Sequence, residues 1–194
     1  MAKESISRRN FIGKTAVGIA GTAISTSASS MSAASYERIK GANDRINIGF
    51  LGCGSRSKGH QNMVKMLAKE QNLGVVAVCD LWTNNRENTA ARCKDLFDVK
   101  VQQFKYMEDM LKMPDLDAVM IATGDFQHAR HLAEVVRAGK DCYCEKPMAE
   151  SVDDAKLARA AVLASKSVVQ IGSQWVSDPI QKKIRDIVRS GKLG

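Results

Sequence analysis

A glycine-rich turn is the feature of this 194-residue chain with the clearest chemistry. Residues 52–59 read GCGSRSKG and join an apolar run to a stretch with helical apolar spacing. In such a turn the first glycine allows a tight bend, and the second lets the backbone approach a pyrophosphate. The N–H groups of the following helix then stabilise the phosphate charge. A small serine takes the third position of the G-x-G-x-x-G spacing. The turn therefore predicts dinucleotide contacts at Gly52, Gly54, Ser55 and Arg56.

An acid at the end of the next apolar run supports the same ligand. Asp80 follows Leu73–Cys79 and lies 26 residues beyond Gly54. A carboxylate there accepts hydrogen bonds from the adenosine ribose hydroxyls and repels a 2′-phosphate, so NAD is expected rather than NADP. Arg86 lies close enough along the chain to keep NADP as a second possibility and is included among the cofactor-binding candidates. The alternative is that Asp80 is a solvated loop acid.

A lysine later in the chain could carry proton transfer. Glu145-Lys146-Pro147 follows a short predicted strand, and open α/β sheets bind ligands beyond the carboxyl ends of their strands. A lysine beside a nicotinamide ring would suit proton transfer to or from a substrate hydroxyl. The alternative for this tripeptide alone is an ordinary surface turn.

Alternating strands and helices must position these residues. The apolar runs predict strands at 45–51, 73–79, 99–104, 117–122, 141–144 and 168–172. Helical spacing predicts helices at 60–71, 84–97, 107–112, 126–138, 151–165 and 180–190. Short connections between such elements are typical of βαβ units, so the predicted fold is α/β with a doubly wound parallel sheet.

Taken together, the motifs resemble the Gfo/Idh/MocA family of oxidoreductases. They occur in the family's order and cover nearly all of residues 45–194, at 52–60, 77–80, 122–129, 138–140, 145–147 and 170–174. The resemblance implies an N-terminal Rossmann domain, a C-terminal α/β substrate domain and NAD(P)-dependent hydride transfer on a sugar or polyol. It also implies a homo-oligomer for the complete protein.

The resemblance assigns roles to individual residues. Lys146 matches the family's catalytic or substrate-orienting lysine, with Glu145 beside it in a cofactor-contacting motif. Thr123 and His128 match the segment that lines the cofactor, and Gln174 matches a position near the nicotinamide. Two departures from the family pattern are Gly124, which replaces a proline, and Trp175, which stands where many relatives have arginine. For His128 the alternative is a structural histidine at a helix start.

The family's second catalytic motif has no counterpart in this sequence. That motif is an aspartate and a histidine four residues apart, whereas the histidines here are His60, His128 and His131. We therefore expect a Rossmann domain at 36–172, a linker and helix at 173–194, and a substrate domain that is essentially missing. The chain alone would then bind NAD without turnover. The alternatives are a glycosidase of the same superfamily that uses NAD, and a non-catalytic dinucleotide-binding fragment.

The first 35 residues predict an export signal. Adjacent Arg8 and Arg9 in S-R-R-x-F precede a short, mildly apolar stretch and a tract of small residues. This arrangement resembles a twin-arginine (Tat) signal peptide and implies the Tat translocase as a partner and a periplasmic or otherwise exported location. An accidental arginine pair on a disordered tail is the alternative.

Charge and cysteine content argue against nucleic-acid and metal sites. The net charge is +8, of which the first 35 residues supply +3; the remaining 25 basic and 20 acidic residues are interspersed, without a basic run. We therefore expect no nucleic-acid partner. Five cysteines form no repeated spacing, and one C-x-C pair supplies too few ligands for zinc, so no metal site is expected.

Overall fold

The computed structural model describes residues 45–176 and 178–192, which form a six-stranded parallel sheet with helices. The strands are β1 (Ile46–Leu51), β2 (Leu73–Cys79), β3 (Gln102–Phe104), β4 (Ala118–Ile121), β5 (Asp141–Glu145) and β6 (Val169–Gly172). Their spatial order is β3-β2-β1-β4-β5-β6, and every neighbouring pair is parallel. This is the doubly wound Rossmann order, so the predicted fold class is confirmed.

Helices follow the strands along the chain. They are α1 (Ser55–Leu67), α2 (Thr83–Phe97), α3 (Met107–Leu111), α4 (His128–Arg137), α5 (Val152–Ala164) and α6 (Pro179–Arg189), with a 3₁₀ turn at Asp125–Gln127. Two apolar clusters form the core. One contains Phe50 and Val78 with residues of α1 and α2, and the other contains Ile121 and Cys144 with residues of α3, α4 and α5. Strands buried on both faces explain the continuous apolar runs in the sequence.

The register of the sheet aligns the carboxyl ends of four strands. Leu51 of β1 pairs with both Cys79 of β2 and Ile121 of β4, and Ile121 pairs with Cys144 of β5. The residues that follow these positions, Gly52, Asp80, Ala122 and Glu145, therefore lie in one row at one edge of the sheet. The chain order reverses between β1 and β4, which is where such sheets form a crevice for ligands.

The predicted helix bounds agree with the structure to within two residues except at α1, which was predicted at 60–71 and spans Ser55–Leu67. Gly139, with φ of 73°, follows α4, and the Ser151 hydroxyl caps α5 by accepting from the Asp154 N–H. The helix predicted from His60 begins instead at Ser55, directly after the extended Gly54. Gly59, predicted as the end of the turn, lies inside α1.

Two of the sequence predictions concern residues that the structure does not describe. The predicted signal at 1–35 and the boundary at 36 lie outside the described residues. Within 45–176 and 178–192, no helix has the length and apolar character needed to cross a bilayer. The same residues hold no group of three His, Cys, Asp or Glu side chains placed to bind a metal ion. Helix α6 lies within the segment predicted as a linker and helix.

Candidate functional site

Gly52 occupies a position that other residues cannot take without strain. Its φ is 85°, and a Cβ there would lie 2.6 Å from the backbone of Ala122 and Thr123. The Gly52 N–H donates to the Cys79 carbonyl at 2.9 Å. The turn after β1 is therefore pressed against the ends of β2 and β4, as the tight-bend role predicted.

Gly54 leaves the start of α1 open. It is the residue before the first turn of the helix, and no side chain caps that turn. A Cβ placed on Gly54 would have no atom within 4 Å, so empty space lies in front of it. Uncapped N–H groups at a helix start attract anions, and the space leaves the backbone at this point accessible. Ser55 is the first residue of this helix.

The Asp80 carboxylate ties the end of β2 to the glycine turn. One oxygen accepts from the Cys53 N–H at 2.7 Å, and the other accepts from the Trp82 N–H at 2.8 Å. Arg86 does not contact this carboxylate. Its guanidinium donates to the Asp80 carbonyl at 2.8 Å and to the Thr83 hydroxyl at 3.2 Å. Arg86 thus forms no ion pair with the Asp80 carboxylate, because its guanidinium is bonded to a carbonyl and a hydroxyl instead.

The larger of two clefts at this sheet edge has a volume of about 350 Å³. It brings together Gly52, Gly54, Asp80 and Thr123 from the predicted set. Sequence reasoning missed several of its other lining residues, namely Lys105, Tyr106, Glu108, Gln127 and His131. The missed residues follow the short strand β3 or lie on the first turns after β4. Their position at the same edge as Asp80 was the signal that could have found them.

The smaller cleft, of about 200 Å³, brings together the predicted residues around the lysine. Lys146 shares it with Arg56, Thr123, His128, Glu145 and Gln174, and also with Asp125, which was not predicted. Thr123 lines both clefts, so they lie next to each other. Ser55 and Arg86 line neither. Lys146 itself is exposed, so its amine is accessible to a substrate.

The Glu145 side chain is buried, and both of its carboxylate oxygens are bonded to neighbouring residues. One carboxylate oxygen accepts from Arg56 Nε at 2.6 Å and from a second Arg56 nitrogen, and it lies 3.0 Å from His60 Nε2. The other oxygen accepts from the Lys146 N–H at 3.1 Å. Burial alone would raise the pKa of Glu145, but the bonds from His60, Arg56 and the Lys146 N–H outweigh it and lower the pKa. The carboxyl is therefore ionised.

Two histidines contact Thr123, the residue that lines both clefts. His128 Nδ1 lies 2.7 Å from the Pro147 carbonyl, and its Nε2 lies 3.2 Å from the Thr123 carbonyl. His131 Nδ1 lies 3.0 Å from the Thr123 hydroxyl. The buried His128 ring thus links the loop after β4 to the loop after β5 and holds the segment that carries Lys146.

Buried histidines are expected to make the stability pH-dependent. Burial lowers the pKa of His60 and of His131 below the usual 6.5, and His128 lowers that of His131 further. Each ring is protonated more readily in the unfolded chain. The free energy of unfolding should therefore be constant above about pH 7.5 and fall as the pH drops below about 6.5. Urea unfolding across this range measures the effect. An equal slope in a double variant, His60→Gln with His131→Gln, would contradict it.

All five cysteines are buried and unpaired. Burial raises the pKa of Cys53, Cys79 and Cys144 to about 12 in each case. A thiol with so high a pKa is a poor nucleophile and metal ligand. The cysteines therefore act as small core residues, although Cys53 lies within the glycine turn.

Comparison with known proteins places this geometry in a family. The Gfo/Idh/MocA model, described as an oxidoreductase family with an NAD-binding Rossmann fold, matches residues 46–173. An "Uncharacterized oxidoreductase YrbE" of Bacillus subtilis (strain 168) is 31% identical over 154 residues, which are 77% of this chain and 42% of that protein. An inositol 2-dehydrogenase of Serratia proteamaculans (strain 568) is 30% identical over 152 residues, 77% of this chain and 43% of the enzyme. The chain thus spans less than half the length of these relatives.

Solved structures share the fold. The WlbA dehydrogenase of Bordetella pertussis, in complex with NADH and UDP-GlcNAcA, has a TM-score of 0.67 at 24% identity and matches 77% of this chain and 43% of its own. KijD10, a 3-ketoreductase of Actinomadura kijaniata in complex with TDP-benzene and NADP, has a TM-score of 0.63 at 18% identity, over 76% and 44%. The neighbours thus include both an NADH and an NADP complex. By family model and sequence relatives, the chain belongs to the Gfo/Idh/MocA oxidoreductase family and carries its NAD-binding Rossmann domain.

Proposed function

We propose that the chain is the NAD-binding, lysine-bearing part of an oxidoreductase that transfers hydride between NAD and a sugar or polyol. The observation that carries the proposal is the pair of adjoining clefts. One cleft presents the glycine turn and Asp80, and the other presents Lys146 with Gln174. The inositol 2-dehydrogenase relatives support a polyol-like substrate. The complete protein is proposed to be a homo-oligomer, which light scattering tests.

NAD is the proposed cofactor rather than NADP. The Asp80 carboxylate lies in the larger cleft, where a 2′-phosphate would meet its negative charge. Arg86, the nearest arginine in sequence, is bonded to the Asp80 carbonyl and the Thr83 hydroxyl. These two bonds use two of the five N–H groups of the guanidinium and hold it against the chain.

Residues of this chain would hold the cofactor and move the proton of the substrate. The uncapped N–H groups at the start of α1 and the open face of Gly54 hold the pyrophosphate, and Asp80 accepts from the ribose hydroxyls. NAD, when bound, would supply the acceptor for a hydride from the substrate carbon. Lys146, as the free amine, would take the proton of the substrate hydroxyl, and loss of the hydride and the proton together would turn the alcohol into a carbonyl. His128 holds the Pro147 carbonyl and so fixes the loop that carries Lys146.

Product analysis separates this chemistry from the NAD-dependent glycosidase alternative. The protein encoded at the full genomic locus is incubated with NAD and a panel of sugars and polyols, and NADH is followed by absorbance. We expect net NADH, and we expect Lys146→Met to lower the rate by about 100-fold with little change in NAD affinity. Release of an aglycone from a chromogenic glycoside without net NADH would contradict the dehydrogenase proposal and favour the glycosidase.

We also propose that the Tat translocase exports the protein to the periplasm. The S-R-R-x-F sequence supports this, and so do the five buried, unpaired thiols, which suit folding in a reducing compartment before export. Cell fractionation provides the measurement. A double variant, Arg8→Lys with Arg9→Lys, should remain in the cytoplasm, while Lys14→Arg should be exported. Equal export of both variants would contradict the proposal.

A further inference from the structure

Both carboxylate oxygens of Glu145 are bonded to other residues of the chain. The side chain is about 3% exposed, and its two oxygens are bonded to Arg56, His60 and the Lys146 N–H. A carboxylate held in this way acts on its surroundings mainly through the groups that it binds. The group that it holds directly is the main chain of Lys146, the proposed proton-transfer residue.

The two side chains that bind Glu145 both come from the helix that starts at the glycine turn. Arg56 and His60 lie four residues apart on α1 and therefore on the same face. Both reach the same Glu145 oxygen, across β4, because β5 is two strands away from β1 in the sheet. The network thus joins the helix that begins after Gly54, a residue of the larger cleft, to the strand end that carries Lys146.

The charges of this network are internally balanced. Glu145 is ionised, and burial keeps His60 neutral at neutral pH, so the guanidinium of Arg56 supplies the compensating charge. His60 Nδ1 is buried without a partner, which places the ring proton on Nε2 facing Glu145. The Arg56 side chain is about 47% exposed and lines the smaller cleft. It is the member of the network that solvent reaches.

We propose that Arg56, His60 and Glu145 are positioning residues that couple occupancy of the α1 N-terminus to the placement of Lys146. A diphosphate that draws the start of α1 toward it displaces Arg56 and His60 together. The two bonds to one Glu145 oxygen then move the carboxylate, and the carboxylate moves the Lys146 N–H. The inference rests on the proposed function, since it requires a dinucleotide at α1.

The acylation rate of the Lys146 amine, followed by mass spectrometry, tests the coupling. ADP is the probe, because it carries the diphosphate but lacks the nicotinamide that would cover Lys146 directly. Saturating ADP should change the rate in the wild type by about fivefold, and by less than about twofold in Arg56→Met and Glu145→Gln. Arg56→Lys should restore part of the response. Arg130→Met, which removes a surface guanidinium paired with Asp154, is the matched control and should respond as the wild type does.

Different results would overturn the proposed function and the coupling. Failure of the wild-type chain to bind either ADP or NAD would overturn the proposed function. Binding of ADP with an unchanged Lys146 rate, or a full response in folded Arg56→Met, would overturn the coupling alone. Circular dichroism shows which variants fold. Because Arg56 is half exposed, its variant remains informative if Glu145→Gln does not fold.

Discussion

A chain carrying Gly54→Ala is expected to fold as the wild type does and to lose at least about 90% of its affinity for NAD, a change of about 1.4 kcal/mol or more. The backbone at Gly54 is extended with φ of −74°, which alanine adopts readily. The new Cβ meets no protein atom within 4 Å, so the folded state is not crowded. It would instead fill the space through which a pyrophosphate approaches the backbone. Calorimetric titration with NAD measures the affinity.

The matched control is Gly52→Ala, two residues earlier. There φ is 85°, and the added Cβ would lie 2.6 Å from the Ala122 and Thr123 backbone. We expect a loss of about 3 kcal/mol or more in the free energy of unfolding, measured in urea. We thus expect Gly52 to serve the fold and Gly54 to serve the ligand. Wild-type NAD affinity in Gly54→Ala would show that the turn does not hold the pyrophosphate.

Replacing Asp80 is expected to have the second large effect. Removal of a charged acceptor for the ribose hydroxyls should weaken NAD binding by about 10- to 100-fold in Asp80→Ala. NADP should be affected much less, because its 2′-phosphate no longer meets a carboxylate. The ratio of the two dissociation constants therefore moves toward NADP.

A second variant separates the charge of Asp80 from its structural bonds. The carboxylate also accepts from the Cys53 and Trp82 N–H groups, so Asp80→Ala costs stability as well. Asp80→Asn keeps one acceptor oxygen, which can serve either the Cys53 or the Trp82 N–H, while losing the charge. Titration of both variants with NAD and NADP makes the comparison. An unchanged preference between the two cofactors in Asp80→Asn would remove Asp80 from the basis of selectivity.

The sequence predicted the strands and the acid at the sheet edge because both depend on local patterns. Leu73–Cys79 is a continuous apolar run covered on both faces, and its end places Asp80 at the crevice. Helix α1 begins earlier than predicted because apolar spacing shows first at Met63, whereas the helix already begins at Ser55. Apolar periodicity marks the buried face of a helix and says little about its first turn.

Contacts between distant parts of the chain were not predictable in the same way. Arg56 and Glu145, expected as separate cofactor contacts, lie 89 residues apart in sequence and bind each other. The bond between His131 and the Thr123 hydroxyl likewise depends on how α4 packs against the loop after β4. Such contacts depend on the order of the strands in the sheet, and no spacing of residues in the sequence marks them. The roles of these residues toward a cofactor stay predictions.

The central claim is that the glycine turn, the start of α1 and Asp80 form an NAD site. Titration of the 194-residue chain with NAD and with NADP by calorimetry tests it most directly. We predict one NAD per chain, bound at least about tenfold more tightly than NADP. Absence of binding heat for both dinucleotides across temperatures, with the chain folded by circular dichroism, would contradict the claim.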